Sequence, residues 1–147
     1  MALGAVALGA LALAVAGCYS LAEPSLRPGD SRDVLRALTR QGVRVMDALA
    51  GDSACADPGL VANALRLAVT VPTDSEPRDV YVYSFRVRDW DESEEAVDAC
   101  QAEFAAANPG GVVTRVDVPT YRAFGLDWPD ELALAVEAAL EEASQAG

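Results

Sequence analysis

The stretch LRLAVTVPTDSEPRDVYVYSFRVR, residues 65–88, decides the fold. Apolar and polar side chains alternate along residues 65–71, which is typical of a half-buried strand. Residues 79–88 alternate more strongly, and one face of this second strand collects the bulky side chains Tyr81, Tyr83, Phe85 and Val87. The polar residues and prolines of residues 71–78 predict a turn between the two strands. The stretch therefore predicts an antiparallel hairpin.

The segment before the hairpin begins with a helical pattern. Residues 31–41 have the apolar spacing of a helix, whose first residue or the preceding Asp30 can cap its start. Gly42 is a natural stop for that helix. Residues 43–49 fit either a strand or a continuation of the helix, and the spacing of their apolar residues leaves the choice open. Residues 51–63 then predict a loop with a short helical turn.

The segment after the hairpin predicts two more helices and two more strands. Residues 89–107 have helical spacing, and the sequence NPGG at residues 108–111 ends it. Residues 112–118 and 120–126 alternate as strands, and residues 129–144 carry the apolar stripe of a final helix. The order α-β-β-β-α-β-β-α predicts one α+β domain, with an antiparallel sheet and helices packed on one face.

The charge and the residue types exclude several functions. The formal net charge is −12, every basic residue is Arg, and the chain has neither Lys nor His. Such a negative surface repels nucleic acid, so we expect no DNA or RNA partner. The absence of His and Lys removes His-based catalytic triads, Schiff bases and the P-loop.

The first residues have the pattern of an export signal. Residues 2–17 are apolar and uncharged, and they are shorter than the about 20 residues that span a membrane as a helix. The run ends in the small residues Val15, Ala16 and Gly17, followed by Cys18. This ending, with Leu13 before it, resembles the lipobox of bacterial lipoproteins.

The resemblance implies a cut before Cys18 and a diacylglyceryl group on its thiol. Residues 1–17 would then be a signal peptide, residues 18–30 the acylated cysteine and a tether, and residues 31–147 the domain. Two acyl chains anchor a protein stably, so the resemblance implies membrane attachment on the extracytoplasmic face, or at an outer membrane. A short uncleaved anchor, or a cut elsewhere that leaves an ordinary thiol, are the alternatives.

Once Cys18 is assigned to lipid, Cys55 and Cys100 remain. Export places them in an oxidising compartment, where two cysteines are expected to pair. Two buried free thiols are the alternative. A metal site is disfavoured, because two thiols without His are too few ligands.

The acidic stretch of residues 89–95 is the first candidate for chemistry. Its carboxylates could hold Ca²⁺, but an EF-hand loop needs Gly at its sixth position and Glu at its twelfth, where this chain has Glu94 and Cys100. The preferred interpretation is a helix start, with Asp91 as cap and Glu94 completing a capping box.

Aromatic and arginine side chains are the remaining candidates. Tyr81, Tyr83, Phe85 and Tyr121 could line a ligand surface, although core packing is preferred for them. Trp128 is interpreted as a packing anchor rather than a partner-binding residue. Three arginines could clamp an anion, although solvent-facing positions are preferred: Arg66, Arg86 and Arg88.

These observations predict a lipid-anchored binding or accessory domain of the cell envelope that is not an enzyme. Its expected partners are the membrane, through the anchor, and an envelope protein or small molecule of unknown identity. No cofactor and no metal are expected. The alternatives are a carboxylate-based envelope hydrolase and a binding module that depends on a divalent cation.

Overall fold

Five strands form one antiparallel sheet in the part of the chain that the structure describes. The computed structural model of the protein describes residues 30–146. Three predicted segments therefore lie outside the described residues: the signal peptide, the lipobox with Cys18 and nearly all of the tether.

Residues 30–146 contain four α-helices and five strands. The helices are α1 (Ser31–Arg40), α2 (Pro58–Val61), α3 (Trp90–Ala107) and α4 (Asp130–Gln145). The strands are β1 (Arg44–Ala50), β2 (Ala64–Val71), β3 (Asp74–Ser84), β4 (Val113–Val118) and β5 (Tyr121–Leu126). The strand order is β1-β2-β3-β5-β4, with every neighbouring pair antiparallel. The predicted α+β class is confirmed; α2 lies where a short helical turn was predicted, and the observed order adds a 3₁₀ turn before α3.

The start of the domain follows from local sequence. Asp30 caps α1, because its Oδ1 accepts the backbone N–H of Arg32 at 2.9 Å and of Asp33 at 3.1 Å. Gly42 has a φ of +83°, a left-handed conformation that turns the chain out of the helix. Residues 44–50 then pair with β2, which settles the open choice in favour of a strand.

The hairpin of β2 and β3 is confirmed, with a shorter turn than predicted. Val71 already pairs with Asp74, so the turn consists of residues 72–73 rather than residues 71–78. The first part of β3 pairs with β2 alone, because the pairing with β5 extends only from Tyr81 to Ser84. A strand with one open edge tolerates a proline such as Pro77.

The other end of β3 also differs from the prediction. The strand ends at Ser84, and residues 87–89 form a 3₁₀ turn that leads into α3. Phe85 remains buried beside the strand, and its N–H donates to Thr120 O at 2.8 Å. Val87 was predicted on the same face as Phe85, but it is 50% exposed because it lies in the turn.

Helices cover both faces of the sheet, which corrects the prediction that they pack on one face. α1 and α4 share a core cluster with Val80 and Val82, whereas α2 and α3 share a second cluster with Tyr83 and Phe85. Side chains alternate between the two faces of a strand, and the central β3 is apolar on both. Burial of both apolar faces requires a layer of helix on each side.

The start of α3 is fixed by a contact from β5 rather than by the predicted cap. The helix begins at Trp90, so Asp91 lies inside the first turn and not at the cap position. Arg122 is 3% exposed and donates to Ser93 Oγ and to Trp90 O, both at 3.1 Å. Its guanidinium also lies 3.9 Å from the centre of the Trp90 ring, which is cation–π geometry.

Candidate functional site

A cleft opens where the pairing of β3 with β5 stops. The last pair in that direction joins Tyr81 to Phe124. Beyond it lies a cavity of about 270 Å³ between the first half of β3, the end of α3 and the residues that follow β5. We call it the β3–β5 cleft, and its lining includes Arg78, Asp79, Tyr81, Phe104, Asn108 and Asp127.

Aromatic rings form one wall of the β3–β5 cleft. The rings of Tyr81 and Phe104 meet edge to face, with centroids 5.4 Å apart. Phe124 lies behind both, at 6.0 Å from Tyr81 and 5.5 Å from Phe104. Burial raises the pKa of Tyr81, and the nearby Asp79 carboxylate raises it further, so this phenol stays protonated at neutral pH.

Arg78 lines the cleft, and its Nε and Nη2 donate to carboxylates of its own strand. Its Nη2 lies 3.0 Å from Asp74 Oδ2 and 2.9 Å from Glu76 Oε2. The hydrogen bond to Asp74 is the main cause of the raised pKa of Arg78. The pKa of Asp74 is lowered in turn, first by the backbone N–H of Glu76 and then by Arg78. This cation is therefore neutralised within the strand that carries it.

Asp79 brings a second charged group to the rim. Its Oδ1 lies 3.4 Å from Nη1 of Arg66, whose Nε contacts Asp52 Oδ2 at 2.7 Å. The hydrogen bond to Asp52 is the main cause of the raised pKa of Arg66. Because Arg66 is shared between two carboxylates, its charge is more than balanced locally.

Asp127 is held in an unusual backbone conformation at the rim. Its φ is +51°, a left-handed value that Asp and Asn tolerate better than most residues. Two hydrogen bonds of 2.8 Å fix it: Val112 N–H donates to Asp127 Oδ1, and Asp127 N–H donates to Val112 O. The carboxylate is thus positioned by a local turn that also carries the chain into α4.

Trp128 packs in the core on the opposite face of the sheet from Tyr81 and Phe104. It is 7% exposed, and its Nε1–H donates to Asp79 O at 2.9 Å. Its indole passes directly over Gly125, where an added Cβ would lie 2.3 Å from Nε1 and 2.2 Å from Asp79 O. The predicted packing role of Trp128 is confirmed, and Gly125 is required for this close approach.

The predicted cysteine pair lies beside the aromatic wall. Cys55 and Cys100 are at disulfide distance, with Cα atoms 5.5 Å apart. The Tyr83 hydroxyl accepts from Ala54 N–H at 3.1 Å and lies 3.0 Å from Ser53 Oγ. Burial raises the pKa of Tyr83, while these two hydrogen bonds act in the opposite direction. The disulfide and Tyr83 together fasten the loop before α2 to α3 and to the sheet.

The other predicted candidates do not converge on one site. Among residues 30–146, no three His, Cys, Asp or Glu side chains lie close enough to hold a metal ion, and residues 89–95 form the start of α3. Arg66 pairs with Asp52 in one part of the sheet, whereas Arg88 pairs with its neighbour in the turn before α3.

The structure divides the predicted aromatic surface between two environments. Tyr81, Tyr83 and Phe85 belong to the α3 face, and Tyr121 to the core on the opposite face. Tyr81 alone of these four is in the lining of the β3–β5 cleft. Asn108 was predicted only as part of a helix stop, and nothing in the sequence around Asn108 or Asp127 indicates that they meet Tyr81.

Comparison of the chain with protein-family models, with curated proteins and with solved structures gives no match. Within residues 30–146, none of the helices combines the length and the apolar character that crossing a membrane requires.

Proposed function

We propose that this chain is a lipid-anchored domain of the bacterial cell envelope, and that it binds a partner or a small ligand without catalysing a reaction. The observation that carries the proposal is the apolar run of residues 2–17, ending in small residues directly before Cys18. A diacylglyceryl group on that thiol would supply two chains, which is enough for stable attachment. The tether of residues 18–30 would span roughly 20 Å and keep the domain close to the membrane.

One feature of the domain supports a location outside the cytoplasm, and a second limits the class of partner. Cys55 and Cys100 lie at disulfide distance, and such bonds persist in oxidising compartments. The net charge of −12 favours solubility and disfavours nucleic acid as a partner. Both features suit an exported domain tethered to a membrane.

The β3–β5 cleft is the proposed binding site. A carboxylate hydrolase is the second candidate, because Asp79 and Asp127 flank one cleft, as paired carboxylates do in glycosidases. Binding is favoured over hydrolysis, since Asp79 contacts Arg66 and Asp127 accepts a backbone N–H, so both carboxylates have structural partners. Turnover of chromogenic glycosides that disappears in an Asp127→Asn variant would favour the hydrolase instead.

The intact mass of the protein from the membrane fraction of its own host tests the proposal. We expect the mass of residues 18–147 with a diacylglyceryl group, and a gain of two hydrogens after reduction of Cys55 and Cys100. A Cys18→Ser variant is the control, because it lacks the thiol that would be acylated and is expected to leave the membrane fraction or retain residues 1–17. An unmodified wild-type chain that retains residues 1–17 would contradict the proposal.

A further inference from the structure

We propose that the β3–β5 cleft binds an alkylguanidinium group, such as the side chain of an arginine. This inference rests on the proposed function, because it names the ligand class of the same binding site. It is argued from the charge around the cleft, the aromatic wall, the size of the cavity and the hydrogen-bond acceptors that line it.

The charge around the cleft favours a cation. Among the residues that line the cleft, Arg78 carries the one positive charge, whereas Asp79 and Asp127 both carry negative charges. The Arg78 charge is already paired with Asp74 and Glu76, and Asp79 shares Arg66 with Asp52. The local excess of negative charge lies on a domain that is itself strongly acidic, so the potential in the cleft attracts cations and repels anions.

The aromatic wall favours an organic cation over a metal ion. Tyr81 and Phe104 both line the cavity, and their rings attract a cation placed near the ring face. The same protein already uses this geometry, because Arg122 lies 3.9 Å from the centre of the Trp90 ring. A planar guanidinium stacks on an aromatic ring, whereas a compact, strongly hydrated ion does not.

The size of the cavity limits the ligand to a small group. Its volume of about 270 Å³ lies just below the range of about 300–1,000 Å³ that is usual for drug-sized ligands. This volume suits one side chain of a partner or a ligand of similar size. The methylene stem of an arginine would lie along Tyr81 and Phe104, with its charged end at the carboxylates.

The polar lining supplies acceptors for the N–H groups of a guanidinium. Asp79 and Asp127 present carboxylate oxygens at the rim. Asn108 donates its Nδ2–H to Phe104 O at 2.8 Å, and this bond orients the amide whose oxygen can accept. A guanidinium offers five donors in a planar fork, so it can use several acceptors at once, which an ammonium ion does less well.

Calorimetric titration of the full-length protein in detergent tests the inference. The probe is N-acetyl-arginine amide, and the matched control ligand is N-acetyl-citrulline amide, which has nearly the same shape and no charge. We expect the arginine probe to bind and the citrulline probe not to bind. Propylguanidinium is a third probe, and its affinity relative to the arginine probe distinguishes a free guanidine from a peptide side chain as the natural source.

Charge-neutral variants link binding to the cleft. Asp127→Asn keeps the oxygen that accepts from Val112 N–H and suits the positive φ, so the fold should be preserved. We expect about tenfold weaker binding of the arginine probe, because one charge-assisted hydrogen bond is lost. The control is Glu137→Gln, which removes the same charge from an exposed position on α4. Its affinity should equal that of the wild type.

The outcomes separate this inference from the proposed function. No detectable binding, equal binding of the arginine and citrulline probes, or unchanged affinity in the Asp127→Asn variant would each overturn the inference. If binding fails while the mass shows an acylated Cys18, the assignment of the cleft is wrong and the lipid-anchored proposal stands. If the arginine probe binds while Cys18 is unmodified, the ligand class proposed for the cleft is supported and the proposed lipid anchor is contradicted.

Discussion

Removal of the Cys55–Cys100 bridge should destabilise the domain, because the unfolded chain gains conformational entropy when the bridge is lost. The two cysteines are 45 residues apart in sequence, and that separation sets the size of the loop that the bridge closes. In the chain-entropy model, a loop of this length corresponds to about 4 kcal/mol of stability at 25 °C. That amount is a large fraction of the about 5–15 kcal/mol by which domains are usually stable.

Urea unfolding of the oxidised and reduced protein measures this effect. With a slope of about 2 kcal/mol per M urea, the midpoint should fall by about 2 M on reduction. The slope should also rise, because the reduced chain exposes more surface when it unfolds. A Cys18→Ser background leaves Cys55 and Cys100 as the only cysteines, so the effect of the reductant can be assigned to the pair.

The double variant Cys55→Ser and Cys100→Ser provides the matched control. It should unfold near the midpoint of the reduced protein and should not respond to the reductant. An unchanged midpoint after complete reduction, verified by thiol titration, would refute the reasoning that the bridge limits the entropy of the unfolded chain.

Three further predictions concern the cleft and the start of α3. Arg122→Ala should lower the free energy of unfolding by about 3 kcal/mol in urea titration, because the charged hydrogen bonds of a buried guanidinium to Ser93 Oγ and Trp90 O are lost. Gly125→Ala should shift tryptophan emission and destabilise by about 1–3 kcal/mol, because the new Cβ would overlap the Trp128 indole. The pKa of Asp74 in the folded state lies below its ordinary value. Ionised Asp74 therefore stabilises the fold above about pH 4, and this stabilisation is lost as the pH falls through the folded-state pKa. Asp74→Asn should therefore reduce the difference in urea midpoint between pH 7 and pH 2.

Each of these predictions has a contradicting result. The control for Arg122→Ala is Arg36→Ala, whose side chain is 63% exposed and should change stability by less than about 0.5 kcal/mol. Equal effects at the two positions would contradict the role of Arg122. Unchanged emission in Gly125→Ala would contradict the close contact with the indole. An acid dependence of Asp74→Asn identical to that of the wild type would show that this carboxylate does not contribute.

The local sequence determined much of the architecture. Alternation predicted β2 and β3 as strands, and the turn residues between them predicted that the two strands form a hairpin. The helical stripe of α4 was equally clear, and Leu132, Val136 and Leu140 are all buried. Asp30 and Gly42 act at the ends of α1 as capping chemistry predicts, since both effects operate within one turn of the chain. The pairing of Cys55 with Cys100 was predicted only after the lipobox resemblance had assigned Cys18 to lipid.

Only the tertiary structure decided the features that join distant parts of the chain. The start of α3 depends on Arg122, which lies 29 residues beyond Ser93, so a local cap pattern misplaced it. The second layer of helices is needed because β3 is the central strand and both of its faces are apolar. The alternation of side chains within one strand does not indicate where that strand lies in the sheet. The β3–β5 cleft brings Tyr81, Phe104 and Asp127 together, because long-range pairing places the end of β5 beside β3. Periodicity reports which face of an element is apolar, whereas the partner of that face is selected by packing over the whole chain.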